Sequence, residues 1–186
     1  MEEIKRFLNE SADLKRVIAD TLSEDIERAI NAIRASLDNG GKLLLMGNGG
    51  SAGDAQHIAA EFIGRYKKER PALPAIALTV DTSALTAIGN DYGYDFVFER
   101  QVDGLAQKGD VVFGFSTSGN SENVVRALKK AKEKGARTIA LLGKSGGKAK
   151  EEAEIAIVVP SSDTARIQEA HITIGHIICE ILESDV

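Results

Sequence analysis

From Lys42 onward the sequence alternates short apolar runs with longer amphipathic segments, and this alternation constrains the fold more than any other feature. Several of the runs are apolar on both faces, which is typical of parallel strands covered by helices on each side of a sheet. The predicted strands lie at residues 42–47, 75–80, 110–116, 137–142 and 154–160. The helical patterns between them lie near residues 51–65, 83–89, 95–107, 120–134 and 146–152. The sequence therefore predicts an α/β fold with a five-stranded parallel doubly wound sheet and right-handed crossovers.

Helical regions precede and follow this core. Residues 1–38 place apolar side chains at helical spacing in two successive stretches, which predicts a pair of helices with Ser23 as the N-cap of the second. Residues 164–183 predict one long helix that is apolar over much of its surface. We expect a single domain over 1–186, divided into a helical N-terminal extension at 1–38 and an α/β core at 42–186. The apolar surfaces of the flanking helices indicate a homo-oligomer.

The bulk composition argues against several classes of protein. The formal net charge of −5 gives no reason to expect a nucleic-acid surface. The one dense basic run, residues 65–70, is interrupted by Glu69 and is predicted to be a solvated loop. No apolar run approaches the roughly 20 residues of a membrane-spanning helix, and the single cysteine, Cys179, is predicted to be a small core residue. Because the N-terminus lacks an apolar signal-peptide core, we expect a cytoplasmic protein with no membrane partner.

The loop after the third predicted strand carries a cluster of hydroxyl side chains. Residues 116–121 read Ser-Thr-Ser-Gly-Asn-Ser and lead directly into a predicted helix. Ligands of open α/β sheets bind beyond the carboxyl ends of the strands, and a helix N-terminus offers free N–H groups to an anion. Together these features favour a binding loop for a phosphate monoester over an ordinary serine-rich turn.

The loop after the first predicted strand is rich in glycine. It reads Gly-Asn-Gly-Gly-Ser-Ala-Gly-Asp over residues 47–54, so the main chain can approach a ligand closely, and Ser51 or Asp54 is placed to cap the next helix. The spacing also fits a loose dinucleotide fingerprint, with Asp81 as the acidic residue after the next strand. Asp81 lies about 30 residues on rather than the usual ~20, so NAD binding is a weak alternative.

The helix that follows the glycine-rich loop carries His57 and Glu61. These residues are four positions apart and therefore share one helix face. Imidazole and carboxylate groups are good zinc ligands, and a carboxylate also suits proton abstraction next to a carbonyl group. The alternative is a surface or interface hydrogen bond, but the nearby glycine-rich loop favours a functional pair.

The other two histidines lie on the C-terminal helix. His171 falls in the apolar stripe and is predicted to be structural, whereas His176 shares a row with Gln168. The eight positions between Gln168 and His176 correspond to roughly 12 Å along a helix axis. One ion can therefore hardly bind both side chains from a single straight helix. Either Gln168 precedes the regular helix, or the site combines residues from different chains.

These motifs together resemble the phosphoheptose isomerase family of the SIS (sugar isomerase) superfamily. The resemblance spans nearly the whole chain and is carried by Gly47-Asn48-Gly49-Gly50-Ser51, His57-x-x-x-Glu61, Gly64-Arg65-Tyr66, Arg70-Pro71, Gly89-Asn90-Asp91, Ser116 through Ser121, and Arg166-Ile167-Gln168-Glu169 through His176. The serine-rich loop alone indicates only the superfamily. The His57/Glu61 pair joined to Gln168 and His176 is much more specific.

The resemblance implies a SIS sheet assembled as a homotetramer, with active sites at subunit interfaces. It also implies one zinc ion per site, with His57, Glu61, Gln168 and His176 matching the ligand positions. The positions that match substrate contacts are Asn48, Gly49, Gly50, Ser51, Glu61, Arg65, Asn90, Asp91, Ser116, Thr117, Ser118, Ser121 and Gln168.

The implied reaction converts sedoheptulose 7-phosphate to D-glycero-D-manno-heptose 7-phosphate through an enediol. This is the first step toward the ADP- or GDP-heptose precursors of lipopolysaccharide and other surface glycans. In this interpretation Glu61 is the catalytic base and His176 is its partner acid/base.

Two alternatives to that function follow from related groups. A non-catalytic SIS paralogue binds the replication initiator DnaA, and other SIS isomerases act on other sugar phosphates. The paralogue has an arginine where this chain has Ser118 and lacks the counterpart of His176, so the enzyme is favoured. The combination of His57, Glu61, Gln168 and His176 argues against the second alternative.

Overall fold

The computed structural model describes residues 1–184. Its helices are α1 (Glu2–Asp38), α2 (Gly50–Ile63), α3 (Thr82–Tyr92), α4 (Val97–Leu105), α5 (Glu122–Glu133), α6 (Ala149–Glu152) and α7 (Thr164–Ser184). Its strands are β1 (Leu43–Gly47), β2 (Ala75–Ala77), β3 (Val111–Ser116), β4 (Arg137–Gly143) and β5 (Ile155–Val159), and a 3-10 turn at Tyr94–Phe96 leads into α4. The predicted alternation of strands and helices is confirmed, although β2 ends at Ala77 rather than at residue 80.

The strands form one parallel sheet in the order β2-β1-β3-β4-β5. This confirms the five-stranded parallel, doubly wound α/β fold. After β1 the chain crosses to β2 on one side and then returns to β3 on the other side of β1. The topological switch point therefore lies between β1 and β3, where open sheets of this kind bind their ligands.

Both faces of the sheet are covered by helices. In β1, Leu43 and Leu45 pack against the layer formed by α1, α2 and α7, whereas Leu44 and Met46 pack against the layer that contains α4 and α5. All of β1 and β3 is buried. The uninterrupted apolar runs in the sequence thus reflect burial on both faces, which an alternating pattern would not provide.

The N-terminal region is one continuous helix, so the predicted helix pair is wrong. Ser23, the predicted N-cap, donates its hydroxyl group to the Ala19 carbonyl oxygen at 2.6 Å inside α1. No glycine or proline occurs in α1, and nothing in the backbone therefore ends the helix between the two apolar stretches. The C-terminal half of α1 is buried against the domain, whereas Ile4 and Leu8 near its start are 64% and 66% exposed.

The predicted long C-terminal helix is confirmed as α7. It packs between α1 and α2 on one face of the sheet. A Cβ atom at Gly175 would lie 2.6 Å from Ile58 Cδ1, so this glycine lets α7 approach α2 closely. Within residues 1–184 no helix is both long and apolar enough to cross a membrane.

Candidate active site

The loops after β1 and β3 meet at the switch point through a pair of amide side chains. Asn48 Nδ2 donates to Asn123 Oδ1 at 2.9 Å, and Asn123 Nδ2 donates to Asn48 Oδ1 at the same distance. The Tyr94 hydroxyl group also donates to Asn48 Oδ1, at 3.2 Å. Asn123 is 3% exposed. The amide pair therefore fixes Asn48, a predicted substrate contact, relative to the first turn of α5.

Sequence analysis missed Asn123. The available signal was a polar residue on the face of α5 that otherwise carries the buried Val124, Ala127 and Leu128. A buried amide needs partners for its donors and acceptors, and Asn48 together with the Val124 N–H group supplies them.

The serine-rich loop has the geometry expected of an anion-binding turn. Ser116 ends β3 and is buried, and its Oγ lies 3.1 Å from Ser121 Oγ and accepts the Gly119 N–H group at 3.1 Å. Thr117 and Ser118 are half-buried, at the entrance to α5. The structure thus brings together four of the predicted hydroxyl residues at a helix N-terminus, which favours a phosphate group.

The floor of this loop packs closely on the β4–α6 connection. Gly119 has φ +67°, and a Cβ atom there would overlap the carbonyl oxygen of Gly146. The Ala149 N–H group donates to the Gly119 carbonyl oxygen at 2.9 Å. The position therefore requires glycine for both its backbone angle and its close contact.

The glycine-rich loop leads into α2 without a side-chain cap. The helix begins at Gly50, with Gly49 as N-cap at φ +57°, so the prediction that Ser51 or Asp54 caps α2 is wrong. Ser51 is buried in the first turn. A Cβ atom at Gly50 would lie 2.6 Å from Gln168 Nε2, so the glycine leaves room for that side chain.

Helices α2 and α7 bring three of the predicted metal ligands together. His57 Nε2 lies 2.9 Å from His176 Nε2 and 3.3 Å from Glu61 Oε1. One potential ligand atom from each of these three residues lies within 4.8 Å of the other two. Two imidazole nitrogens and one carboxylate oxygen are a donor set that suits zinc. The residues present therefore fit the implied metal.

Gln168 lies at the other end of the contact between α2 and α7. Gly50 is beside Gln168, Ile58 is beside Gly175, and His57 meets His176, so the two helices run in parallel. Because α7 is already regular from Thr164, the possibility that Gln168 precedes the helix is ruled out. Gln168 is separated from the His57/Glu61/His176 cluster by about two helical turns.

Three further predicted substrate contacts lie on exposed surface. Asn90 and Asp91 are in the last turn of α3, where Asn90 Nδ2 donates to Asp91 Oδ1 at 2.9 Å. The Arg65 side chain is 58% exposed, and it donates to the Lys67 carbonyl oxygen at 3.2 Å. The contacts described for these residues are therefore local to α3 and to the 64–70 loop.

Two acidic residues near the glycine-rich loop differ from their sequence interpretations. Asp54 lies within α2, and burial raises the pKa of its carboxyl group to about 6, although His57 partly opposes this effect. Asp81 is the N-cap of α3 and accepts the Ala84 N–H group at 2.9 Å. Because a helix cap already uses the Asp81 carboxylate, the weak NAD-binding alternative loses its acidic residue.

The basic run at residues 65–70 is not simply a solvated loop, because its last member is buried. The Arg70 side chain is 4% exposed and lies 3.3 Å from the buried carboxylate of Glu183. Arg70 also donates to the carbonyl oxygens of Glu61 and Phe62 at 2.7 Å and 3.0 Å. Sequence analysis missed both Arg70 and Glu183 as structural residues of the site.

Comparisons with known proteins agree with this geometry. The model of the SIS domain family matches residues 6–143. A phosphoheptose isomerase of Aquifex aeolicus (strain VF5) is 54% identical over 186 residues, covering 100% of this chain and 97% of that protein. A phosphoheptose isomerase of Aliarcobacter butzleri is 57% identical over 183 residues, covering 98% of this chain and 96% of that protein.

A solved structure gives the same result in three dimensions. The structure of phosphoheptose isomerase GmhA from Neisseria gonorrhoeae superposes with a TM-score of 0.93 at 46% sequence identity, covering 98% of each chain. Identity at this level over nearly the whole chain shows membership of the family as well as a shared fold. The resemblance inferred from the motifs is therefore confirmed. The chain belongs to the phosphoheptose isomerase family of SIS-domain proteins.

Proposed function

We propose that this protein is a metal-dependent phosphoheptose isomerase that converts sedoheptulose 7-phosphate to D-glycero-D-manno-heptose 7-phosphate. The observation that carries the proposal is the convergence of His57, Glu61 and His176. The reaction would begin the synthesis of heptose precursors for lipopolysaccharide or other surface glycans. A sugar-phosphate substrate suits a cytoplasmic protein, and we propose that location. We treat residues 1–186 as one SIS domain, with 1–38 as its helical extension and 42–186 as its core.

Substrate binding is assigned to the two loops at the switch point. The hydroxyl groups of Ser116, Thr117, Ser118 and Ser121 and the N-terminus of α5 would hold the phosphate group. Asn48, Gly49, Gly50 and Ser51 line the neighbouring loop, and we assign sugar contacts to this segment together with Arg65, Asn90, Asp91 and Gln168. A phosphate fixed at one end orients the reacting carbons at the other, and this orientation contributes directly to rate.

The chemistry moves one proton between two carbons and another between two oxygens. The Glu61 carboxylate would take a proton from C1 of the ketose, which gives a cis-enediol, and return it to C2. His176 would exchange the proton between the oxygens on C1 and C2 through Nδ1, because its Nε2 lies in the metal-binding cluster. General acid–base catalysis of this kind contributes about a hundredfold to ten-thousandfold in rate.

His57, Glu61 and His176 would hold a zinc ion, with Gln168 as the fourth ligand. When bound, the ion would act as a Lewis acid on the carbonyl and hydroxyl oxygens of the substrate. Because Gln168 lies at the other end of the α2–α7 contact, we propose that it comes from a second chain. The active sites would then lie at subunit interfaces of a homo-oligomer, which we expect to be a tetramer.

The isomerase is favoured over the two alternatives. The DnaA-binding paralogue lacks a histidine at position 176, whereas here His176 lies 2.9 Å from His57. The relatives described above are named as phosphoheptose isomerases, which supports this substrate over other sugar phosphates.

The direct test is conversion of sedoheptulose 7-phosphate by the purified protein, followed by NMR before chelation, after chelation and after zinc is added back. Turnover that zinc restores would support both the reaction and the role of the metal. Glu61→Gln should lower kcat about a hundredfold or more, whereas Glu133→Gln, a matched change on exposed α5 surface, should not. Absence of turnover under every metal condition would contradict the proposal and favour the binding-protein alternative.

A further inference from the structure

Glu183, near the end of α7, holds the loop that joins α2 to β2. Its carboxylate is 3% exposed and accepts the N–H groups of Tyr66, Lys67 and Lys68 at 2.8, 2.6 and 2.8 Å. Burial alone would raise the pKa of Glu183, but the three N–H groups and Arg70 together lower it. The carboxylate is therefore ionised, and the backbone of the loop donates three hydrogen bonds to it.

Arg70 connects the same carboxylate to the end of α2. Its Nε lies 3.3 Å from Glu183 Oε1, while its terminal nitrogens donate to the carbonyl oxygens of Glu61 and Phe62. These are carbonyl groups at the C-terminal end of a helix, which lack helical partners and favour a cation. The Glu183–Arg70 pair thus joins the turn of α2 that carries Glu61 to the C-terminal turn of α7.

Tyr66 links the Glu183 carboxylate to His176. The Tyr66 ring stacks on the His176 ring, with centroids 5.5 Å apart and an interplanar angle of 30°. The His57 ring meets His176 edge-on at 5.0 Å and 67°. His176 is therefore held between two rings, and the Tyr66 backbone N–H group is one of those bound by Glu183.

We infer that Glu183, acting with Arg70, is a positioning residue that sets Tyr66 against His176 and so aims His176 Nε2 at the metal-binding cluster. Stability alone does not favour a carboxylate at this position. A negatively charged side chain at the C-terminal end of a helix is unfavourable in the field of the helix dipole, and replacing a buried ion pair by well-packed apolar residues is often neutral or stabilising. The inference deepens the proposed function and depends on it only for the identity of the metal.

The first experiment uses the metal-free protein, so it does not depend on the proposed function. The chain has three histidines, and NMR spectra with labelled histidine can be assigned by substituting each one. Tyr66 stacking should shift the His176 ring signals upfield. Glu183→Gln presents an NH₂ group to three N–H donors and should remove most of that shift. Tyr66→Ala should remove it entirely, whereas Tyr66→Phe keeps the ring and should retain it.

Asp110 offers a matched control at the opposite end of the strands. Its carboxylate is 2% exposed and accepts the N–H groups of Lys42 and Gln107 at 3.0 and 2.8 Å, with the Lys42 ammonium group at 2.6 Å. Asp110→Asn makes the same chemical change to a buried carboxylate of the same kind. We expect it to lower the melting temperature while leaving the His176 signals unchanged.

The second experiment measures zinc affinity by competition with a chromophoric chelator. Loss of a residue that orients a metal ligand typically costs about tenfold to a hundredfold in affinity. We expect a loss of that size for Glu183→Gln and no comparable loss for Asp110→Asn. If both variants affect His176 and zinc equally, or if neither does, the positioning role is wrong. Failure of the wild type to bind zinc or turn over substrate would instead contradict the proposed function, and the NMR result would still decide the role of Glu183.

Discussion

His171 has no exposed surface, and its Nε2 lies 3.0 Å from the Leu142 carbonyl oxygen. Burial lowers the pKa of its imidazole to about 4, an effect that the hydrogen bond to Leu142 only partly offsets. The pKa in the folded protein is then below the unfolded value of ~6.5, so the unfolded chain binds the proton first as the pH falls. The contribution of His171 to stability is therefore lost between about pH 6.5 and pH 4.

The prediction is that His171→Gln flattens this part of the pH dependence. Glutamine can place its amide nitrogen near the Leu142 carbonyl oxygen but does not titrate. Relative to the variant, the wild type should lose up to about 3 kcal/mol of unfolding free energy between pH 6.5 and pH 4. Urea denaturation at several pH values measures this difference. Parallel curves for the two proteins would show that His171 is not the titrating group.

At the residue scale, the sequence identified functional side chains by their residue type and spacing. It missed polar side chains whose role depends on the buried partners that the fold brings to them. His57, Glu61 and His176 were recognised by residue type and spacing, and they meet in the structure. Asn123 and Glu183 have ordinary positions on amphipathic helices. Only the fold shows that Asn48 or the 66–68 backbone lies opposite them.

At the element scale, the Asn48–Asn123 amide pair joins the loop after β1 to the first turn of α5. Asn123→Ala would remove both hydrogen bonds that Asn123 makes to the half-buried Asn48 side chain, and each lost hydrogen bond costs about 0.5–1.5 kcal/mol. Because Asn48 also belongs to the predicted substrate contacts, we expect KM for sedoheptulose 7-phosphate to rise more than kcat falls. Steady-state kinetics and thermal unfolding measure the two effects. Asn39→Ala, at the end of α1, is the matched control and should lower stability without changing KM.

At the element scale, the parallel sheet was predictable because burial on both faces gives uninterrupted apolar runs. The N-terminal helix pair was wrong because no glycine or proline interrupts α1 between its two apolar stretches, so the backbone continues. Hydrophobic periodicity shows which face of a helix is buried. That face can pack against different neighbours along the helix without any interruption of the helical backbone. The first half of α1, around Ile4 and Leu8, projects away from the core, whereas the second half packs on it.

At the scale of the whole molecule, an apolar groove runs beside α1 and α7. A groove of about 510 Å³ lies between α1 and α7, and its apolar lining residues are Ile18, Ala19, Ile26, Ile30, Ala170, Ile174, Ile177 and Ile181. Together with the exposed apolar side chains in the first half of α1, this surface is of the kind that marks a protein–protein contact. A second copy of the chain is the occupant that the proposed function requires, because Gln168 cannot reach the metal-binding cluster of its own chain.

Shared active sites predict that two inactive variants restore activity when they assemble together. Gln168→Ala and His176→Gln should each be nearly inactive alone. If Gln168 and the metal-binding cluster of one site come from different chains, random mixing in a symmetric oligomer makes about one site in four complete. Co-expression with two affinity tags, sequential purification of the mixed oligomer and a turnover assay would measure this recovery.

Glu61→Gln mixed with His176→Gln is the matched control. Those residues meet within one chain, so this pair should remain inactive. Equal failure of both mixtures would place the whole active site in one chain, and only a rearrangement of α7 could then bring Gln168 to the metal.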